Sequence, residues 1–172
     1  MLRRSAVLSA VLAAGAVLAA AVPSQAVEWA STSMPWLMLP GGQPIGALPQ
    51  TVSIPSKAWE YGARSDRLDV FGKTEPTILR LDIKAQTGTV GVVLMGTDGT
   101  TILSKETPIK ASDGPMQIFF RLRPGAQPSF VILRNYDAEG QAGKVLLQQV
   151  QFTREADLTN DELAAIVQRG LH

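Results

Sequence analysis

With 16 basic and 15 acidic side chains among 172 residues, no cysteine and one histidine, the chain lacks the basic excess that displaces counterions from nucleic acid. It also has no thiolate or disulfide chemistry. The single histidine is His172, so neither a Ser-His-Asp triad nor a histidine-based zinc site can be assembled, and no G-x-S-x-G elbow or phosphate-cradling loop is present.

The chain opens Met1-Leu2-Arg3-Arg4, runs apolar over residues 6–22 and then reads Pro23-Ser24-Gln25-Ala26. A charged start, a short apolar run and a small-x-small exit form the layout of a secretory signal peptide, residues 1–26, with cleavage expected after Ala26. The alternative is an uncleaved anchor, but 17 mostly alanine-rich residues sit at the short end of what spans a bilayer. Cleavage would leave 146 residues (172 minus 26), the size of one domain, with 14 basic against 15 acidic side chains once Arg3 and Arg4 are gone. A signal peptide without cysteine favours a periplasmic or secreted bacterial protein, with no membrane span after cleavage.

Residues 27–56 form a proline-rich N-terminal arm. Pro35, Pro40, Pro44 and Pro49 remove backbone donors, and Gly41-Gly42 breaks the middle. Trp29, Trp36 and Leu37 make the segment too apolar for a solvated tail. It reads either as an arm pinned across a sheet or as an edge strand plus loop. Residues 51–54 are a short strand candidate.

Residues 57–155 read as a β-sandwich domain. Trp59 and Tyr61 alternate as on one strand face, and residues 67–71 suggest another short strand. Leu79, Leu81, Ile83 and Ala85 then alternate with Arg80, Asp82, Lys84 and Gln86, the period of two of a half-buried strand. A Thr87-Gly88 turn, an apolar run over 90–95 and an Asp98-Gly99 turn predict hairpins over 77–104. Residues 108–115 read as a loop. Residues 116–122 read as a strand burying Met116, Ile118, Phe120 and Leu122 and exposing Phe119. Residues 130–133 are apolar on both faces, as in a covered central strand. The strand over 144–152 puts Leu146, Val150 and Phe152 on one face.

Residues 156–172 read as a C-terminal amphipathic helix. Thr159 and Glu162 form a capping box, Leu158 and Leu163 a hydrophobic staple, and Gly170 a C-terminal stop. Leu163, Ile166, Val167 and Gly170 share one face over 160–169. A helix this short needs a surface to dock on, either its own domain or a partner's groove. The whole predicts an all-β antiparallel sandwich with a short C-terminal α-helix.

Of the carboxylates that would pair in a hydrolase, Asp66, Asp69, Glu75, Asp82 and Asp113 all sit in polar or turn positions, which argues for solvated or capping roles and against an enzyme. Asn135, Asp137, Glu139 and Gly140 match the first half of a calcium loop. Leu146 occupies the position of the closing acid, so an ordinary polar loop is the simpler reading and structural calcium the other. The remaining signal is aromatic. Trp59 and Tyr61 would offer sugar-stacking rings, with Arg64, Arg134 and Asn135 as hydrogen-bonding flanks; the competing reading places the rings in the core.

Leu79-Arg80-Leu81-Asp82-Ile83, Gly88-Thr89-Val90-Gly91-Val92, Asp98-Gly99 and Val131-Ile132-Leu133-Arg134-Asn135 together resemble the galactose-binding-like jelly-roll domains. They are most similar to the carbohydrate-binding-module-like versions appended to bacterial surface-polysaccharide enzymes. The resemblance spans residues 57–153 and consists of strand and turn patterns. It implies a jelly roll and a glycan or polysaccharide partner, with a structural calcium in some members. No binding motif of the family matches residue by residue. The expectation is therefore a non-catalytic carbohydrate binder of the bacterial cell envelope, the alternative being an envelope adaptor that meets a protein partner through arm and helix.

Overall fold

The computed structural model describes residues 27–68, 73–126 and 129–172. The expected signal peptide lies outside the described residues, as does most of the strand expected over 67–71, including Asp69. Among the described residues no helix is long and apolar enough to cross a membrane.

Two antiparallel sheets pack face to face. The first is built on β6 (Thr77–Thr87), with β9 (Met116–Leu122) on one side and β11 (Gly143–Arg154) on the other. The far edge of β11 is shared by β4 (Gln50–Ile54) and β1 (Ala30–Ser31). The second sheet runs β3 (Pro44–Ile45), β2 (Trp36–Met38), β5 (Tyr61–Ser65), β10 (Ser129–Asn135), β7 (Thr89–Gly96), β8 (Thr107–Lys110). From β4 onward, all connections but β7–β8 pass from one sheet to the other. Strands adjacent in sequence therefore face each other across the core, the winding of a jelly roll. The all-β sandwich expected from the alternation is the architecture observed.

Alternation decides what is inside. Leu79, Leu81, Ile83, Phe120, Val145 and Leu147 of the first sheet meet Trp36, Val90, Val92 and Leu133 of the second, all nearly inaccessible. Burial of such side chains, at roughly 25 cal/mol per Å² of apolar surface, holds a domain that has no cysteine to cross-link.

The Thr87-Gly88 turn is not a hairpin. β6 belongs to the first sheet and β7 to the second, so Gly88 is a corner between them. Its φ of +67° suits glycine, and a Cβ there would lie 3.1 Å from Gly143 Cα and 3.2 Å from the Ala142 carbonyl. Both flanking strands have an apolar inner face, and a sheet change lets each cover the other.

The Asp98-Gly99 turn is a true hairpin, with Met95 opposite Ile102 and the Gly96 N–H donating to the Thr101 carbonyl at 2.8 Å. The Asp98 carboxylate accepts from the Thr101 hydroxyl at 2.5 Å and from the N–H groups of Thr100 and Thr101 at 2.9 Å. These bonds, that of the Thr101 hydroxyl first, lower the Asp98 pKa from 3.8 to about 2. The ionised form therefore supports the turn above its ordinary pKa, and this support is lost as pH falls through about 2. A carbon-detected NMR titration should place the Asp98 midpoint near that value, and Thr101→Val should raise it; an Asp98 midpoint at the ordinary value would contradict the turn geometry.

Three other expectations are corrected, and one open pair of alternatives is decided. The loop expected over 108–115 begins as β8, because Ile109 buries opposite Val90 at the sheet edge, and only residues 111–113 form a 3-10 turn. In β11 a bulge between Leu147 and Gln149 reverses the alternation. Val145, Leu147 and Val150 join the core, while Leu146 leaves the face it was expected to share with Val150. The N-terminal arm is no separate strap: β1 and β4 join the first sheet and β2 and β3 the second, the edge-strand alternative. Finally, Phe119 is buried, at 2% exposure.

The cover over Phe119 is helix α1 (Asn160–Gln168), whose capping box pairs Thr159 with Glu162 as expected. Ile166 is its buried residue, and with Trp29, Leu158 and Leu171 it packs on Ile78 and Phe119. Val167, expected on that face, is 55% exposed. Beyond the helix, the His172 N–H donates to the Phe119 carbonyl at 3.0 Å and the Arg121 N–H to the His172 carbonyl at 2.7 Å. The tail thus satisfies backbone groups along the free edge of β9. The helix docks on its own domain, and its apolar face is occupied there.

Candidate functional site

The outer face of the second sheet gathers four of the five side chains singled out in the sequence. Register places Arg134 opposite Gly91 on one side and Tyr61 on the other, and Ile132 opposite Val93 and Arg64. A register shift between Leu133 and Arg134 brings Tyr61, rather than Gly62, across from Arg134. It also lets Tyr61 pack with outward-facing Val93, Met95, Ile132 and Phe130, although Ala63 two residues on points into the core. The Arg64 guanidinium lies 4.6 Å from the centre of the Phe130 ring.

Trp59 precedes the strand instead of lying on it. It sits in a turn at φ +66°, a conformation that side chains with a Cβ rarely adopt. Its N–H donates to the Asn135 carbonyl at 3.0 Å, and the Asn135 N–H donates to the Glu60 carbonyl at 2.9 Å. Thus held, the indole is 46% exposed, whereas Trp36 is core at 2%. Tyr136 meets the Trp59 ring edge-on, with centroids 5.0 Å apart and planes at 82°. The Arg134 guanidinium carbon lies 5.2 Å from the ring centre.

Arg134 is itself fixed by a two-pronged ion pair with Glu106, Nε donating to Oε1 at 2.6 Å and Nη2 to Oε2. These side chains are only 14% and 12% exposed. The Glu106 hydrogen bond raises the Arg134 pKa above its ordinary value, so the guanidinium stays charged throughout. Gly91 leaves room for the pair, since a Cβ there would run into the Glu106 carboxylate and come within 3.0 Å of the Tyr136 ring.

Asn135 stands apart. It is fully buried, its amide donates to the carbonyls of Pro55 at 2.8 Å and Gln141 at 2.9 Å, and its Oδ1 accepts from the Asp137 N–H at 2.7 Å. It ties together the loops beside Trp59 and offers nothing to solvent. The calcium-loop residues behave likewise, with Asp137 Oδ1 accepting from the Glu139 N–H at 2.8 Å. Among the described residues no group of three or more histidine, aspartate or glutamate side chains converges on a metal position.

Glu106, Phe130 and Tyr136 were missed in the sequence. Tyr136 follows Arg134-Asn135 directly, and Phe130 alternates with Ile132 and Arg134, so both carried a local signal. Glu106, between Lys105 and Thr107, carried none.

Fold and site together define a jelly-roll β-sandwich that covers one outer sheet face with its own helix and presents aromatic rings and guanidinium groups on the other. No family model and no curated protein matches the chain. Among solved structures it is similar to a point mutant of a family 29 carbohydrate-binding module, at 16% identity and a TM-score of 0.44, over 78% of this chain and 99% of that one. It is also similar to an arabinose-bound GH51 α-L-arabinofuranosidase, at 18% identity and a TM-score of 0.39, over 69% of this chain; the match spans 21% of that enzyme.

Proposed function

We propose that this chain is a non-catalytic β-sandwich that binds carbohydrate through the outer face of its second sheet, as a secreted or periplasmic protein of the bacterial cell envelope. The observation that carries the reading is Trp59, an exposed indole held in a left-handed turn and flanked by Arg134 and Tyr136. Backbone strain in a bulky residue persists where the surroundings impose it, and it gathers at ligand sites. A flat ring stacks on the C–H face of a sugar, and Tyr61 and Arg64 lie on the same sheet face to meet its hydroxyls. The fixed Arg134–Glu106 pair brings little net charge, which suits a neutral glycan.

Affinity electrophoresis through gels containing soluble polysaccharides tests this. At least one neutral polysaccharide should retard the protein. Trp59→Ala should weaken retardation at least tenfold, about 1.4 kcal/mol, with the melting temperature changed by no more than a few degrees. Equal retardation of both proteins, or none across the panel, would overturn the reading. The adaptor alternative has less support, because the helix face and the arm are both engaged within the domain.

A further inference from the structure

The first sheet carries a second, chemically different feature beside α1. A groove of about 520 Å³ is lined by Asp82, Pro115, Met116, Gln117, Gln148 and Arg169. A smaller one of about 150 Å³ runs under the helix, past Trp29, Arg80 and Ile166, and shares Gln117 and Arg169 with the first. The wall between them is one hydrogen bond, Arg169 Nη1 donating to Gln117 Oε1 at 2.9 Å.

On the walls of this trough and beside them the polar groups are not fully paired. Arg80 Nη2 donates to Asp82 Oδ2 at 3.0 Å, and the Arg80 guanidinium lies 5.1 Å from the centre of the Trp29 ring. Arg80 Nε, Asp82 Oδ1 and Gln151 Oε1 are buried and have no hydrogen-bond partner among the described residues. Register makes them neighbours, with Gln151 and Asp82 flanking Arg80 and Gln117 opposite Asp82. Leaving such groups unmatched is unfavourable, which favours anything that completes them.

We propose that this trough is a binding site for a neutral polyhydroxylated ligand of monosaccharide size, separate from the Trp59 face. The orphaned atoms on residues that line the grooves are one donor, Arg80 Nε, and one acceptor, Asp82 Oδ1, and the glutamine amides at the rim both donate and accept. A hydroxyl group does both as well and matches either kind. The charged groups lining the two grooves are two guanidinium groups, Arg80 and Arg169, and two carboxylates, Asp82 and Glu162, a balance that gives an anion no net incentive to enter. The volume falls within the roughly 300–1,000 Å³ of small-molecule sites. The trough depends on α1 and Trp29, which makes the helix one wall of the site.

Glucose, galactose, mannose and arabinose titrated separately into ¹⁵N-labelled protein test this by NMR. At least one should shift the side-chain amides of Gln117 and Gln148 and the Arg80 Nε–H in a saturable way. Gln117 and Gln148 are exposed, so the double variant Gln117→Ala/Gln148→Ala should fold and raise the Kd for that sugar at least tenfold. Val167→Ala, at an exposed position outside both grooves, should leave the Kd unchanged. Failure of all four sugars to give saturable shifts here, shifts confined to Tyr61, Arg64 and Arg134, or an unchanged Kd in the double variant would each overturn the proposal.

Discussion

Phe119→Ala should destabilise the domain by about 3–5 kcal/mol, as truncation of a buried aromatic side chain does. Its ring lies at 2% exposure between Ile78, Ile166 and Trp29, with centroids 6.2 Å apart for the Trp29 pair. A helix of nine residues is marginal by itself, so removing its main contact should release it as well. Urea unfolding should show the loss, and limited proteolysis should cut the variant within residues 158–172 while sparing the sandwich. Val167→Ala, at an exposed position, should change stability by less than about 0.5 kcal/mol. If Phe119→Ala behaved like Val167→Ala, the docked position of α1 would be wrong.

The second large effect lies in the Arg134–Glu106 pair. Arg134→Met leaves a carboxylate that is only 12% exposed without its partner, and Glu106→Leu strands the guanidinium. Each single change should cost about 3 kcal/mol, toward the low end for a buried pair because both heads keep some contact with water. The double variant Arg134→Met/Glu106→Leu should recover most of that loss, since no charge is left stranded. A double-mutant cycle by chemical denaturation reads the coupling. Additive losses would mean that the two groups do not depend on each other. Both single variants should also weaken the proposed glycan binding, because Arg134 sits beside the Trp59 ring.

The parts of the fold legible in the sequence are those set by local physics. The alternation over Leu79–Ala85 marks β6, Asp98-Gly99 marks a tight turn, and Thr159 with Glu162 marks a helix start. Strand pairing is a long-range choice, so nothing near Thr87-Gly88 announces that the chain changes sheets there. Bulges were equally silent. One in β11 separates Leu146 from Val150, and the shift beside Gly62 turns Tyr61 outward. Phe119 looked exposed because alternation assigns it to the wet face, and only the later arrival of α1 makes that face dry. Of the candidate site, the aromatic and arginine members were legible as residue types that suit sugars. The opposite fate of Asn135 was not, because polar side chains that bind ligands and those that fasten loops look alike until their partners are placed.

The most direct test of the proposed glycan-binding face uses 5-fluorotryptophan at the chain's three tryptophan positions. The ¹⁹F resonances of Trp29, Trp36 and Trp59 are followed while oligosaccharide fragments of a retarding polysaccharide are added. Trp59 should shift in a saturable way while Trp36, sealed in the core, stays still. A Trp59 resonance that does not move at saturating oligosaccharide would contradict the assignment of binding to this face.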